Sequence, residues 1–131
     1  MPIDDTIPQI TEGFEVITCA ITPKSATNLL VIQANVDIGY GTVAYSGGMA
    51  LFQDTTAGAL AGVAWPRVDI YLGPRALVYK MVAGTTSETT FKIRVGPAGA
   101  ATVYINSVPG DTGRVFGGVA STTLTIFEYT P

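Results

Sequence analysis

The run Met81-Val-Ala-Gly-Thr-Thr-Ser-Glu-Thr-Thr-Phe-Lys-Ile-Arg-Val95 limits what this chain can fold into more than any other segment. Phe91, Ile93 and Val95 alternate with Lys92 and Arg94. An extended chain points successive side chains to opposite faces, so this segment is apolar on one side and wet on the other. Gly84 and the Thr/Ser cluster after it interrupt the pattern, as turn residues do. The segment reads as strand, tight turn, strand: a hairpin of residues 77–83 with 88–95. A helix would need apolar residues three and four apart, and that spacing is missing here.

The same alternation recurs along the chain. Residues 15–22 place Ile17, Cys19 and Ile21 on one face. After a turn at 23–28, residues 29–37 send Leu30, Ile32, Ala34 and Val36 inward and Val31, Gln33, Asn35 and Asp37 outward. Residues 49–54, 59–64 and 102–106 give shorter strands, 114–119 is mixed, and 121–129 closes the chain as a clear strand. Between them, 39–48 is a glycine-rich loop and 65–74 an irregular excursion from Trp65 to Pro74. About eight strands, with turn signals roughly every 8–12 residues, predict an all-β fold: an antiparallel β-sandwich, jelly-roll-like, with no helix longer than a turn. Residues 1–13 hold Pro2, Asp4, Asp5, Pro8 and Gly13 and read as an extended N-terminal arm or the end of a shaft. That leaves 14–131 as a single sandwich domain.

Composition narrows the function classes. The chain of 131 residues is 47% hydrophobic and only 13% charged, against about 25% charged in an ordinary soluble domain. Thr, Ser, Asn and Gln can do part of the solvating, but a deficit this large points to surface covered by a partner, hence an oligomer. Net charge is −3 with no basic run, which is not the electrostatic footprint of a nucleic-acid binder. Cys19 is the sole cysteine, so no intrachain disulfide can form, and it reads as a small buried apolar residue. With no His, a His-based triad is impossible and a zinc site nearly so. Asp37, Asp54, Asp69, Glu88 and Asp111 sit where solvated turn acids sit, and their spacing does not pair two of them as a glycosidase requires. Gly39-Tyr-Gly41-Thr-Val-Ala44 matches a loose dinucleotide fingerprint, but Ser46-Gly-Gly48 follows where a helix would have to open. The expectation is a non-enzyme without metal or cofactor. The N-terminus has acids where a secretion signal has bases, and no run approaches the about 18 apolar residues of a membrane span.

The aromatic residues carry the functional reading. Tyr40, Tyr45, Trp65, Tyr71 and Tyr104 fall in loops or on outward positions, and Arg67, Asp69 and Arg75 flank the ring pair at 65 and 71. Flat rings stack on the C–H faces of sugars, and charged groups beside them grip hydroxyls. Tyr40, Tyr45, Trp65, Asp69, Tyr71 and Arg75 are therefore the candidate receptor contacts. The bland alternative is that Trp65 plugs the sandwich edge or a subunit interface. In the last strand Glu128 shares parity with Leu124 and Ile126, which look inward; a buried carboxylate needs a partner, and Arg94, Arg114 or escape to solvent could answer it. Leu124, Ile126 and Glu128 are the candidate stripe near an oligomer axis.

Six motifs in order carry a resemblance: Asp4-Asp-Thr-Ile-Pro-Gln, Thr22-Pro-Lys-Ser-Ala-Thr-Asn28, Ala50-Leu-Phe-Gln-Asp54, Ala83-Gly-Thr-Thr-Ser87 with Thr90-Phe-Lys-Ile-Arg94, Arg114-Val-Phe-Gly-Gly118 and Leu124-Thr-Ile-Phe-Glu-Tyr-Thr-Pro131. Together they resemble the C-terminal receptor-binding domains of tailed-phage and prophage tail fibres, nearly end to end. The resemblance implies a jelly-roll-like tip on a homotrimeric fibre, located on the virion, joined to an upstream shaft, and bound to a host-cell surface glycan or protein. The stretches 35–48 and 64–76 depart from the pattern, and in such tips the variable loops engage the host. The competing expectation is a structural virion protein, a decoration or fibre-assembly module that binds only other virion proteins.

Overall fold

A computed structural model of the chain describes residues 1–40, 45–68, 72–109 and 115–131, with the backbone alone for Tyr40, Tyr45, Arg67 and Val68. Among the described residues the chain runs through β1 (Phe14–Ile21), β2 (Leu29–Tyr40), β3 (Tyr45–Gln53), β4 (Ala61–Val68), β5 (Gly73–Val82), β6 (Thr89–Pro97), β7 (Val103–Ile105), a single 3-10 turn at Phe116–Gly118, and β8 (Thr123–Tyr129). Sheet one has the order β1-β6-β3-β4; in sheet two β5 lies along one edge of β2 while β7 and β8 share the other. Every pairing is antiparallel. The protein is an all-β sandwich, as the alternation predicts.

The core lies between the sheets. Sheet two contributes Leu30, Ile32, Ala34, Val36, Ile38 and Leu77; sheet one contributes Met49, Leu51, Trp65, Phe91, Ile93 and Val95. Both sheets feed one core because both alternate with period two, and that shared period hides which sheet a strand joins. The expected hairpin of 77–83 with 88–95 does not form. β5 pairs with β2 and β6 pairs with β1 and β3, so the turn around Gly84 carries the chain from one sheet to the other. Gly84 takes φ +71° with nothing near the position of a Cβ, which makes it a pure turn residue.

Two other expectations shift. The glycine-rich run 39–48 is largely strand: β2 continues through Tyr40 and β3 begins at Tyr45, with Gly47 and Gly48 buried. The excursion 65–74 shrinks likewise, since Trp65 and Pro66 belong to β4 and Pro74 to β5. Both prolines lie on edge strands, where a missing N–H costs no ladder bond.

The first thirteen residues lie across the outer face of sheet one. Gln9 bridges to Gly58, the Ile10 amide donates to the Ala57 carbonyl, and the Ala59 amide donates to the Pro8 carbonyl. Arg94, expected on a wet face, pins the arm: its Nε donates to the Glu12 carbonyl at 2.9 Å and its Nη2 to the Gly13 carbonyl at 2.7 Å. Gly48 and Gly96 leave a notch for Met1, whose Sδ stands 3.0 Å from where a Cβ on Gly48 would be. The Met1 amino group donates to the Pro97 carbonyl at 3.0 Å.

Candidate functional site

Strand register brings two distant parts of the chain to one end of the sandwich. Ile38 pairs with Gly73, Tyr40 with Val103, and Tyr45 with Val68. The strand ends that bracket 41–44 and those that bracket 69–71 are therefore neighbours. Tyr40 and Tyr45 stand at the ends of β2 and β3; Asp69 and Tyr71, like Arg114, lie outside the described residues.

Trp65 and Arg75 meet beneath this end. Trp65 comes from β4, opposite Gly47, and is 5% exposed within the core cluster. Arg75 comes from β5, opposite the core residue Val36, so its side chain also turns between the sheets. Its guanidinium carbon sits 5.2 Å from the centre of the indole ring, within cation–π range. Nη1 donates to the Pro74 carbonyl at 3.1 Å, while the buried Nε finds no acceptor among the described residues. The pair bridges the edge strands of the two sheets and closes the side of the sandwich. A ring 5% exposed with a guanidinium on it has no face open to a sugar, so Trp65, with Arg75 beside it, plugs the sandwich edge. Tyr104, in β7 opposite Gly39, is half-buried.

The last strand also departs from expectation. Leu124 and Ile126 are half-buried and packed on the core of their own chain. Glu128 meets neither Arg94, which holds the arm, nor any other arginine among the described residues. Its Oε1 accepts from Asn28 Nδ2 at 2.6 Å and from the Lys24 amide at 2.7 Å. The Asn28 amide beside it holds the Glu128 carboxyl below its ordinary 4.5, with partial desolvation opposing and the Lys24 and Ser25 amides assisting. Glu128 is thus a clasp on the 22–28 turn. It was legible as an inward acid, but the partner lies a hundred residues away.

The open face of β8 is the other one. Phe127 is 42% and Tyr129 52% exposed, and across β2 so are Val78 at 62% and Val82 at 57%. Sequence reasoning passed over this patch, though its signal was present: valines and aromatics stood on the outward parity of three neighbouring strands. A shallow groove of about 260 Å³ runs beside it, lined by Gln33, Asn35, Ala76, Val78, Thr123 and Thr125 among others. A second cleft, about 390 Å³, lies between the arm and the β3–β4 edge.

Among the described residues no three Cys, Asp or Glu side chains converge as metal ligands. Among the described residues no helix is long and apolar enough to cross a membrane. Neither a scan against protein-family models nor a search of curated proteins returns a match for the chain.

Proposed function

We propose that the chain is the receptor-binding tip of a tailed-phage or prophage tail fibre, and that it binds a host-cell surface glycan as a homotrimer. One observation carries the reading beyond the motif resemblance. The two stretches that depart from the family pattern are separated in sequence, yet Tyr45 pairs with Val68 and their flanks share one end of the sandwich. A rigid scaffold holding variable loops at one end is how binding proteins diversify without refolding.

In this reading Trp65 and Arg75 plug the edge, and contact falls to Tyr40, Tyr45, Asp69 and Tyr71. Three weak sites on one tip gain by avidity. The test is binding of labelled protein to host cells before and after enzymatic removal of surface glycan. Stripping the glycan should abolish binding, and Asp69→Ala with Tyr71→Ala should weaken it at least about tenfold, the worth of one good aromatic contact. A protein that ignores cells but captures virion proteins would instead be a structural module. The exposed apolar face on sheet two is the observation that favours that second reading.

A further inference from the structure

We infer that Arg75 is an anchor for a carboxylate, so that the glycan bound by this protein carries an acidic sugar such as a uronic acid. The inference rests on the glycan reading above and narrows it to a chemical class, adding one contact to those of the loops. Three observations meet on this side chain. Its guanidinium carbon lies 5.2 Å from the centre of the Trp65 ring, which holds the group in place. Nη1 is spent on the Pro74 carbonyl at 3.1 Å. Nε and Nη2 form the other edge of the fork, and neither has an acceptor among the described residues. Of the two, Nε is buried and Nη2 is not. The only ion pair among the described residues joins Lys92 to Glu15, so no carboxylate there neutralises Arg75.

Energetics single out this edge. An arginine stays charged at any ordinary pH. A buried donor without an acceptor bears the full loss of its water, and that cost is already present in the free protein. An oxygen that reaches Nε recovers it, and little is left to dry on the protein side when it arrives. The Nε–Nη2 edge presents two parallel N–H groups, the fork that two oxygens on one carbon match. One guanidinium meets a carboxylate charge for charge, whereas a phosphate monoester, nearly doubly charged, would be left half-neutralised. Gly73, two residues before Arg75 on the same face of β5, has no side chain to cover the group: a Cβ there would stand 3.5 Å from Nη1.

Position ties the edge to the loops. Arg75 pairs with Val36, and β2 runs on from there to Tyr40. Four residues at about 3.3 Å each make roughly 13 Å, a distance that a few linked sugar rings span. An acidic ring on Arg75 thus leaves its neighbours in the glycan to the loop residues.

Trp65 is the sole tryptophan, so its fluorescence reports on the guanidinium beside it. The protein is titrated with glucuronate, its methyl ester, glucose, acetate and inorganic phosphate at matched ionic strength. Glucuronate should give a saturable change in Trp65 emission in the millimolar range, and the ester and glucose none. Arg75→Met, which keeps the stem without the charge, should abolish the change. Arg75→Lys, which keeps the charge without the fork, should weaken binding about tenfold, and it serves alone if circular dichroism shows Arg75→Met unfolded. Saturation transfer from the protein to the sugar protons repeats each titration and catches binding that the indole does not sense.

Equal responses to glucuronate and its ester, or a response that survives Arg75→Met, overturn the inference. An Arg75→Lys variant as tight as the parent overturns the fork. Acetate matching glucuronate means a bare anion site and overturns the acidic sugar; phosphate binding more tightly overturns the carboxylate. No response by either readout, with cell binding still lost when surface glycan is removed, overturns the subsite and leaves the receptor reading standing. A glucuronate response from a protein that ignores host cells keeps the subsite and overturns the receptor.

Discussion

The two outer faces of this sandwich carry the same kind of residue and meet opposite fates. On sheet one, Ala50 and Phe52 point away from the core, yet with the arm lying across that face both are fully buried. On sheet two, Val78, Val82, Phe127 and Tyr129 also point away from the core, and they stay open. The strands on both sides alternate with period two. What separates them is a third layer: thirteen residues with too few apolar side chains to build a strand of their own, held down by backbone bonds and one arginine. A sheet face is finished by what reaches it from elsewhere in the chain or from another molecule. The covered face has its partner within the chain; the bare one has none among the described residues.

Substituting one phenylalanine from each face tests that contrast most strongly. Phe52→Ala deletes a ring with no exposed surface and should cost about 3–5 kcal/mol, the range for buried Phe to Ala. For a domain of this size that lowers the melting point by roughly 10–20 °C. Trp65→Ala, in the shared core, should fall in the same range. Phe127→Ala removes a ring 42% exposed in the isolated chain. Measured at a concentration too dilute for association, it should cost less than about 1 kcal/mol, as surface substitutions do. Equal losses from Phe52 and Phe127 would erase the difference between the faces.

Arg94→Ala sharpens the comparison at its hinge. The two bonds from its guanidinium hold the Glu12 and Gly13 carbonyls, and hydrogen bonds made by charged groups contribute about 1.5–3 kcal/mol each. The Nη2 bond is open to water and the Nε bond only partly buried, so the loss is expected at about the worth of one such bond, roughly 1.5–3 kcal/mol. The more telling readout is local. Hydrogen exchange at the Ile10 and Ala59 amides, which bond to Ala57 and Pro8, should become fast while β2 and β6 stay protected. Loss of protection everywhere at once would mean that the arm is part of the core and not a separable layer.

How much of this could be read beforehand follows the same division. Alternation at Leu30, Ile32, Ala34 and Val36, or at Phe91, Ile93 and Val95, announces strands and their inward sides because the signal is local. It does not say that β5 and β6 part company at Gly84, since strands of either sheet facing one core look alike. Gly47 and Gly48 read as loop because glycine usually signals a turn; here Met1 lies over Gly48, and only the folded arm explains the missing side chain. Trp65 followed by Pro66 looked like irregular chain because a central strand excludes proline, and the rule that rescues it needs to know that β4 is an edge. The Trp65–Arg75 pair at the sandwich edge was in view as a cluster of an aromatic and an arginine. Its inward direction was set by pairing with Gly47 and Val36, which no single stretch displays.

The smallest effect separates the pins on the two sheets by their chemistry. Arg94 holds the arm with a charge that no ordinary acid removes. Glu128 holds the 22–28 turn of sheet two with a carboxylate whose folded-state pKa is depressed by Asn28. A depressed carboxylate contributes stability that is present in full above its unfolded value and lost as pH falls through the folded one. The loss should therefore begin near pH 4.5 and continue below it. Melting points measured from pH 7 down to pH 3 should fall more steeply in the parent than in Glu128→Gln, which keeps an acceptor for Asn28 but cannot titrate. Some slope should remain in that variant, because Thr6 lowers the pKa of Asp4 in the arm by its own side-chain and backbone bonds. Removing that second carboxylate with Asp4→Asn should flatten the profile further, and protection at the Lys24 amide should vanish in acid before protection at Ile10 does. Were the arm's amides to open first, the fragile layer would be the covered face and not the turn that Glu128 clasps.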